Sequence, residues 1–232
     1  MIWFIIATLV AFFIKGLCGF ANTLIFNGIL SYTANNINIS PLEVVLGYPS
    51  NIILVWKERK SLNWKIWLPL TALVVAGSIP GIFLLKHTDA GLLKVIFGIA
   101  VIVIGVEMLF REMKSNRESS NRKPGGSKLV LILIGIISGL LCGLYGVGAL
   151  LAAYVSRVAE NSHEFKANIC VVFVVENTIR IILYVATGIL TLSVLKQVVI
   201  LIPFMLAAVF LGMKSSSVLN EKIIKKIVIV LL

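Results

Sequence analysis

Acidic residues and histidines are scarce in this chain of 232 residues. Asp89 is the only aspartate, and His87 and His163 are the only histidines. Paired aspartates and histidine-rich zinc sets are therefore out of reach, which excludes intramembrane aspartyl and metalloproteases. His-Glu-x-x-His, Gly-x-Ser-x-Gly and Gly-x-x-x-x-Gly-Lys-Ser/Thr are all missing, so zinc hydrolysis, serine hydrolysis and an ATP-driven motor within the chain are excluded as well. No enzyme activity, catalytic residue, metal ligand or cofactor is expected. Only three cysteines occur, Cys18, Cys142 and Cys170, none in a Cys-x-x-Cys pair. They read as small packing residues rather than a disulfide framework or metal cage. The start, Met1-Ile2-Trp3-Phe4-Ile5-Ile6, lacks a basic leader and an Ala-x-Ala pattern, which predicts that it is retained.

What the chain has in excess is apolar residues. They make up 59%, with 13% charged and a mean hydropathy of +1.04, against about 25% charged in soluble domains. Apolar runs span Ile2–Ile14, Leu17–Tyr32, Leu42–Trp56, Ile66–Leu85, Leu92–Phe110, Leu129–Val155, Ala167–Leu190 and Leu195–Met213. Several reach the roughly 20 residues that cross a bilayer as a helix. The expected fold class is an all-α polytopic membrane protein, multi-pass in the bilayer. The net charge of +11 gathers at the ends of these runs, in Lys57, Arg59, Lys60 and Lys65, and in Arg111, Lys114, Arg117, Arg122, Lys123 and Lys128. By the positive-inside rule both clusters face the cytoplasm, with two crossings between them. The basic excess is thus a topology signal and does not point to nucleic acid. Trp56, Trp64 and Trp67 flank the first basic loop as an interfacial belt. Pro69, Pro80 and Pro203 read as kinks.

One glycine-broken motif occurs twice. It runs Gly16-Leu17-Cys18-Gly19-Phe20-Ala21-Asn22-Thr23-Leu24, then Gly139-Leu140-Leu141-Cys142-Gly143-Leu144-Tyr145-Gly146-Val147-Gly148-Ala149-Leu150. In lipid, a broken helix survives where its freed backbone groups line a cavity, and matched breaks in two halves point to a transport site. Aligned on Leu-Cys-Gly, the copies differ by 124 positions, rising to 126 at Asn51/Asn177 and 131 at Gly81/Gly212. The organisation expected is an N-terminal transmembrane repeat over 1–110, a basic cytoplasmic linker over 111–127 and a C-terminal repeat over 128–232. Each half holds about four hydrophobic units, the first broken. If each broken unit crosses once the halves run parallel; if it crosses or re-enters twice they are inverted. The few residues per broken unit favour one crossing. The last unit, Ile223–Leu232, is shorter than Leu92–Phe110 and reads as a partial span or an early stop.

Polar residues inside apolar runs are the candidates for solute contact. Glu176 and Arg180 lie at i and i+4 within Ala167–Leu190, within reach of a salt bridge. Buried ionisable groups of this kind face a partner or a wet cavity. Arg180 is suited to attract an anion, with Glu176 positioning it or moving a proton; the two equally suit a structural pair. Asn177 lies between them, and Asn51 is its counterpart after Ser50. Asn22 and Thr23 fall in the first break, and Tyr145 in the second, beside backbone N–H groups that suit an anion. Interhelical hydrogen bonding is the plainer role for these. Lys15, just before the first break, either snorkels or lines the pathway.

The two glycine motifs and the basic linker between similar halves resemble the sulfite exporter TauE/SafE family of bacterial membrane proteins. Gly139 to Gly148 is similar to the family's Gly-x-x-x-Gly-x-x-Gly-x-Gly-Gly signature, with Ala149 in place of the last glycine. In the first half Ala21-Asn22-Thr23 stands where members commonly carry glycines. The resemblance implies a secondary transporter in the bacterial cytoplasmic membrane, exporting sulfite, an organosulfonate or a related anion by alternating access. Its substrate site would draw on Gly19, Asn22, Thr23, Asn51, Gly143, Tyr145, Gly146, Gly148, Glu176, Asn177 and Arg180. The expected partners are that small anion and the lipid bilayer, without nucleic acid, and a homo-oligomer is left open. The alternatives are a non-transporting membrane subunit docking a partner through the basic linker, and an anion channel.

Overall fold

A computed structural model of the chain describes residues 1–32, 36–89, 91–92, 95–96, 98–99, 102, 106, 128–146 and 148–216. The linker 111–127, most of Leu92–Phe110 and the final unit Ile223–Leu232 lie outside the described residues. The main helices are α1 (Ile2–Cys18), α2 (Asn22–Leu30), α3 (Asn36–Glu58), α4 (Trp64–His87), α5 (Lys128–Tyr145), α6 (Ala149–Val158), α7 (Ser162–Ala186) and α8 (Leu192–Ser216). Among the described residues there is no strand. Four helices are long and apolar enough to cross a bilayer: Asn38–Ser61, Trp64–His87, Ser162–Ala186 and Leu192–Ser216. They expose large apolar side chains such as Phe83, Ile182, Val199 and Phe210, which suits a lipid-facing surface. The helices continue through Pro69, Pro80 and Pro203.

Two helix breaks shape the interior. Gly19 ends α1 in the left-handed region (φ 86°), its N–H donating to the Lys15 carbonyl at 2.7 Å. Gly146 follows α5 with φ 73°, its N–H donating to the Cys142 carbonyl at 2.7 Å. Such φ values are cheap only for glycine. Across the first break α2 turns back onto α1. Phe12 of α1 and Phe26 of α2 meet edge to face at 6.4 Å between ring centroids. In one continuous helix they would stand about 21 Å apart at 1.5 Å per residue.

The helices interlock through close glycine contacts. A Cβ added to Gly77 or Gly81 of α4 would strike the backbone of α5 at Ile136, Gly139, Leu140 and Gly143, and the reverse holds for Gly139 and Gly143. This is the small-xxx-small packing that lets membrane helices approach backbone to backbone. Gly16 of α1 and Gly212 of α8 meet in the same pattern. Between these pairs, α3 and α7 run antiparallel. Ser40 and Glu43 face Arg180, Tyr48 faces Thr178, and Glu58 faces His163.

Polar ties close the Glu58–Asn63 end. Glu58 Oε2 lies 2.7 Å from His163 Nδ1, and Asn63 donates to Asn168 Oδ1 at 3.0 Å and to Glu164 Oε1 at 2.9 Å. The basic residues Lys57, Arg59, Lys60 and Lys65 project outward there. Arg59 stacks on Trp56 with its guanidinium carbon 4.6 Å from the ring centroid, and Lys65 Nζ lies 5.9 Å from that of Trp64.

Candidate functional site

Both helix breaks arrive at one place, between α3 and α7. A small cavity there has room for the centre of about one water molecule, about 20 Å³. Asn22 and Thr23 reach it from the first break, Gly146 and Gly148 from the second, Asn51 from α3 and Asn177 from α7. Lys15 and Glu43 also line it. Six of the eleven residues that the sequence singles out thus share one wall.

The first break is held by a carboxylate. Glu43 Oε1 accepts from Asn22 Nδ2 at 2.6 Å and from Thr23 Oγ1 at 2.7 Å. Asn22 and Thr23 therefore contribute their donors to a protein group. Glu43 Oε2 lies 3.9 Å from Arg180 Nη1, and Glu176 Oε1 lies 3.6 Å from Arg180 Nε. Arg180 Nη2 donates to Tyr184 Oη at 3.1 Å and to Ser40 Oγ at 3.4 Å. All three charged groups are almost fully buried, Glu43 at 3% exposed and Glu176 and Arg180 at 1%. The ion pairs are longer than the roughly 2.7–2.9 Å of a charge-assisted hydrogen bond. Arg180 Nε and Glu176 Oε1 accordingly have no hydrogen-bond partner.

The second break needs its glycine for space as well as for φ. A Cβ on Gly146 would stand 2.7 Å from Arg180 Nη1, 2.9 Å from Glu43 Oε2 and 3.0 Å from Thr23 Cγ2. Gly146 therefore stands between Arg180 and the cavity that Glu43 itself lines. A Cβ on Gly148 would run into the Phe173 ring. Asn27 of α2 ties the two breaks directly, donating to the Tyr145 carbonyl at 2.8 Å.

The remaining candidates lie off the cavity. Gly19 packs its Cα face toward Lys166, whose Cγ would be 3.0 Å from an added Cβ. Gly143 sits inside α5 against Ser78 and Gly81 of α4 and so serves the helix crossing. The Tyr145 side chain is buried in an apolar cluster with Leu144 and Tyr184. Glu176 and Arg180 pair with each other behind Gly146, as their i, i+4 spacing allows, and do not line the cavity. Glu43, Ser40, Asn27 and Tyr184 were not singled out from the sequence. Glu43 was readable as the only carboxylate within Leu42–Trp56 short of its neighbour Glu58.

Among the described residues no group of three or more His, Cys, Asp or Glu side chains is placed to hold a metal ion. The sequence model of the sulfite exporter TauE/SafE family matches residues 4–232. No curated protein and no solved structure matches the chain.

Proposed function

The chain belongs to the sulfite exporter TauE/SafE family, and from that membership we propose that it is a secondary transporter carrying a small sulfur oxyanion or sulfonate across the bacterial cytoplasmic membrane. The observation that carries this reading is the meeting of both helix breaks at a polar cavity between α3 and α7. Broken helices facing each other at mid-bundle are how secondary carriers build solute sites. Asn22, Thr23, Asn51, Asn177, Gly146 and Gly148 form the solute wall together with Glu43, and Glu176 and Arg180 form the charged frame behind it. Gly19, Gly143 and Tyr145 contribute the breaks and crossings that hold this wall.

The helix packing further supports two inverted halves. Matching α1–α4 with α5–α8 in order relates the Gly16–Gly212 crossing of α1 and α8 to the Gly143–Gly81 crossing of α5 and α4. It also relates α3 to α7, and these run antiparallel, as inversion requires. A cavity of about 20 Å³ is tight for a solute, which fits an occluded stage of alternating access. An inside-negative potential contributes about 2.3 kcal/mol per charge per 100 mV to moving an anion outward, which favours export.

Counterflow tests the reading. Proteoliposomes preloaded with unlabelled sulfite or ethanesulfonate should accumulate the labelled anion transiently, with saturable uptake. Flux that neither saturates nor shows counterflow would make the protein a channel. No flux of any small anion would leave a non-transporting subunit.

A further inference from the structure

Resting on the reading of this cavity as the solute site, we propose that Lys15 is the cation that holds a singly charged oxyanion, with Asn51 lining the same cavity, while Arg180 is an internal tie. Two positive groups stand near the cavity, and their surroundings differ. Arg180 is enclosed by Glu43 and Glu176 and capped by Tyr184 and Ser40. Gly146 separates it from the open space. Lys15 is 1% exposed and lines the cavity itself. Among the described residues no carboxylate lies within ion-pair distance of it; Glu43, Cys170 and Cys18 act on its charge from farther away, and its Nζ stands 6.0 Å from the Phe12 ring centroid.

A buried ammonium without a carboxylate is expensive in a low-dielectric interior, so such groups persist where something else supplies the charge. One of the cavity's lining residues also carries an orphaned polar atom. Asn51 is 1% exposed and its Oδ1 has no hydrogen-bond partner. A hydroxyl on a protonated oxyanion would satisfy it. A half-turn of the amide would instead present two N–H donors to a bare one.

The charge balance sets the class of solute. Lys15 and Arg180 balance Glu43 and Glu176, so the empty site is formally neutral. Only Lys15 faces the space as a cation without a carboxylate at ion-pair distance, and Glu43 lines the same cavity. One negative charge can be met by Lys15. A second would face the Glu43 carboxylate without compensation, which favours a monoanion such as a sulfonate or hydrogensulfite over a dianion such as sulfate.

Calorimetric titration of the purified full chain with ethanesulfonate and with sulfate tests this, alongside counterflow in proteoliposomes. Wild type should bind ethanesulfonate at least tenfold more tightly than sulfate. Lys15→Gln should weaken ethanesulfonate binding tenfold or more, and Lys15→Arg should keep most of it. Asn51→Asp, nearly isosteric, keeps the lysine but adds a second carboxylate to the cavity lining and should abolish binding even if Lys15→Gln fails to fold. Wild-type affinity in folded Lys15→Gln or Asn51→Asp would overturn the proposal, as would tighter binding of sulfate or no binding of ethanesulfonate by wild type. Binding that follows Lys15 without counterflow would remove the transport reading alone; counterflow untouched by Lys15→Gln would remove the role of Lys15 alone.

Discussion

At the scale of single residues, the site depends on backbone conformations that the two breaks share unequally. Ala21 has φ 72° and Gly146 has φ 73°. The first is a left-handed position occupied by a residue with a Cβ, the kind of strain that clusters at functional sites. Ala21→Gly should therefore raise stability by up to about 1 kcal/mol, since the native conformation favours glycine. Gly146→Ala should do the reverse, costing about 1–3 kcal/mol from its φ alone. It should also spread Glu43 from Arg180, because the new Cβ would stand within 3 Å of both. Thermal melts followed by tryptophan fluorescence would show opposite shifts in Tm. Equal melting of Gly146→Ala and wild type would discredit the proposed wall. The same scale shows what the sequence hid. Glu176 and Arg180 announce each other by spacing alone, whereas Glu43 meets its partners across 20, 21 and 137 positions (Thr23, Asn22 and Arg180). Its apolar run begins only one residue before it, at Leu42, whereas the helix begins at Asn36, so Glu43 lies two turns inside.

At the scale of elements, glycines divide into caps and crossings, and sequence identity does not tell them apart. Leu17-Cys18-Gly19 and Leu141-Cys142-Gly143 are the same tripeptide, yet Gly19 caps a helix and Gly143 packs inside one. The second cap falls at Gly146, three residues on. Gly16 then corresponds to Gly143, the position that crosses a partner helix in each case. The existence of two breaks was legible because glycine clusters in apolar runs are costly. Their register was not, because a cap is specified by where tertiary packing stops the helix. The crossings make a testable set. A Cβ on Gly81 would meet the Leu140 carbonyl at 2.6 Å, one on Gly212 would meet Phe13, and one on Gly28 has nothing within 4 Å. Gly81→Ala and Gly212→Ala should each cost about 1–3 kcal/mol by overpacking. Gly28→Ala should be neutral or gain up to about 1 kcal/mol in helix propensity. Tm values that rank Gly28→Ala with the other two would show that close approach is not what these glycines provide.

At the scale of the whole molecule, charge and packing together yield a proposed direction for α1, α3, α4, α5, α7 and α8. The proposed topology starts from the positive-inside rule, by which Lys57, Arg59 and Lys60 assign the turn after α3 to the cytoplasm. The start of α7 is tied to that turn through His163 and Glu164, so α7 runs outward and α8 returns. Lys166 donates to Ser216 Oγ at 2.7 Å, which brings the end of α8 back to the cytoplasmic side. Gly16 meets Gly212 four residues from that end, so α1 descends from outside and its first residues lie at the outer face. α4 runs outward from the basic turn, and α5 runs beside it in the same sense, since 74 faces 139 and 78 faces 143. The first break is thus entered from outside and the second from inside, the arrangement expected of inverted halves. Ile2, Lys60 and Ser193 are exposed and report on three different points of this path. Single cysteines there, with Cys18, Cys142 and Cys170 replaced by alanine, can be probed with a membrane-impermeant maleimide. Ile2→Cys and Ser193→Cys should label on intact cells, and Lys60→Cys only after permeabilisation. Labelling of Lys60→Cys from outside would reverse the molecule in the membrane. Protection of Ile2→Cys with labelling of Ser193→Cys would break the inversion itself, because α1 and α8 would then enter from opposite faces.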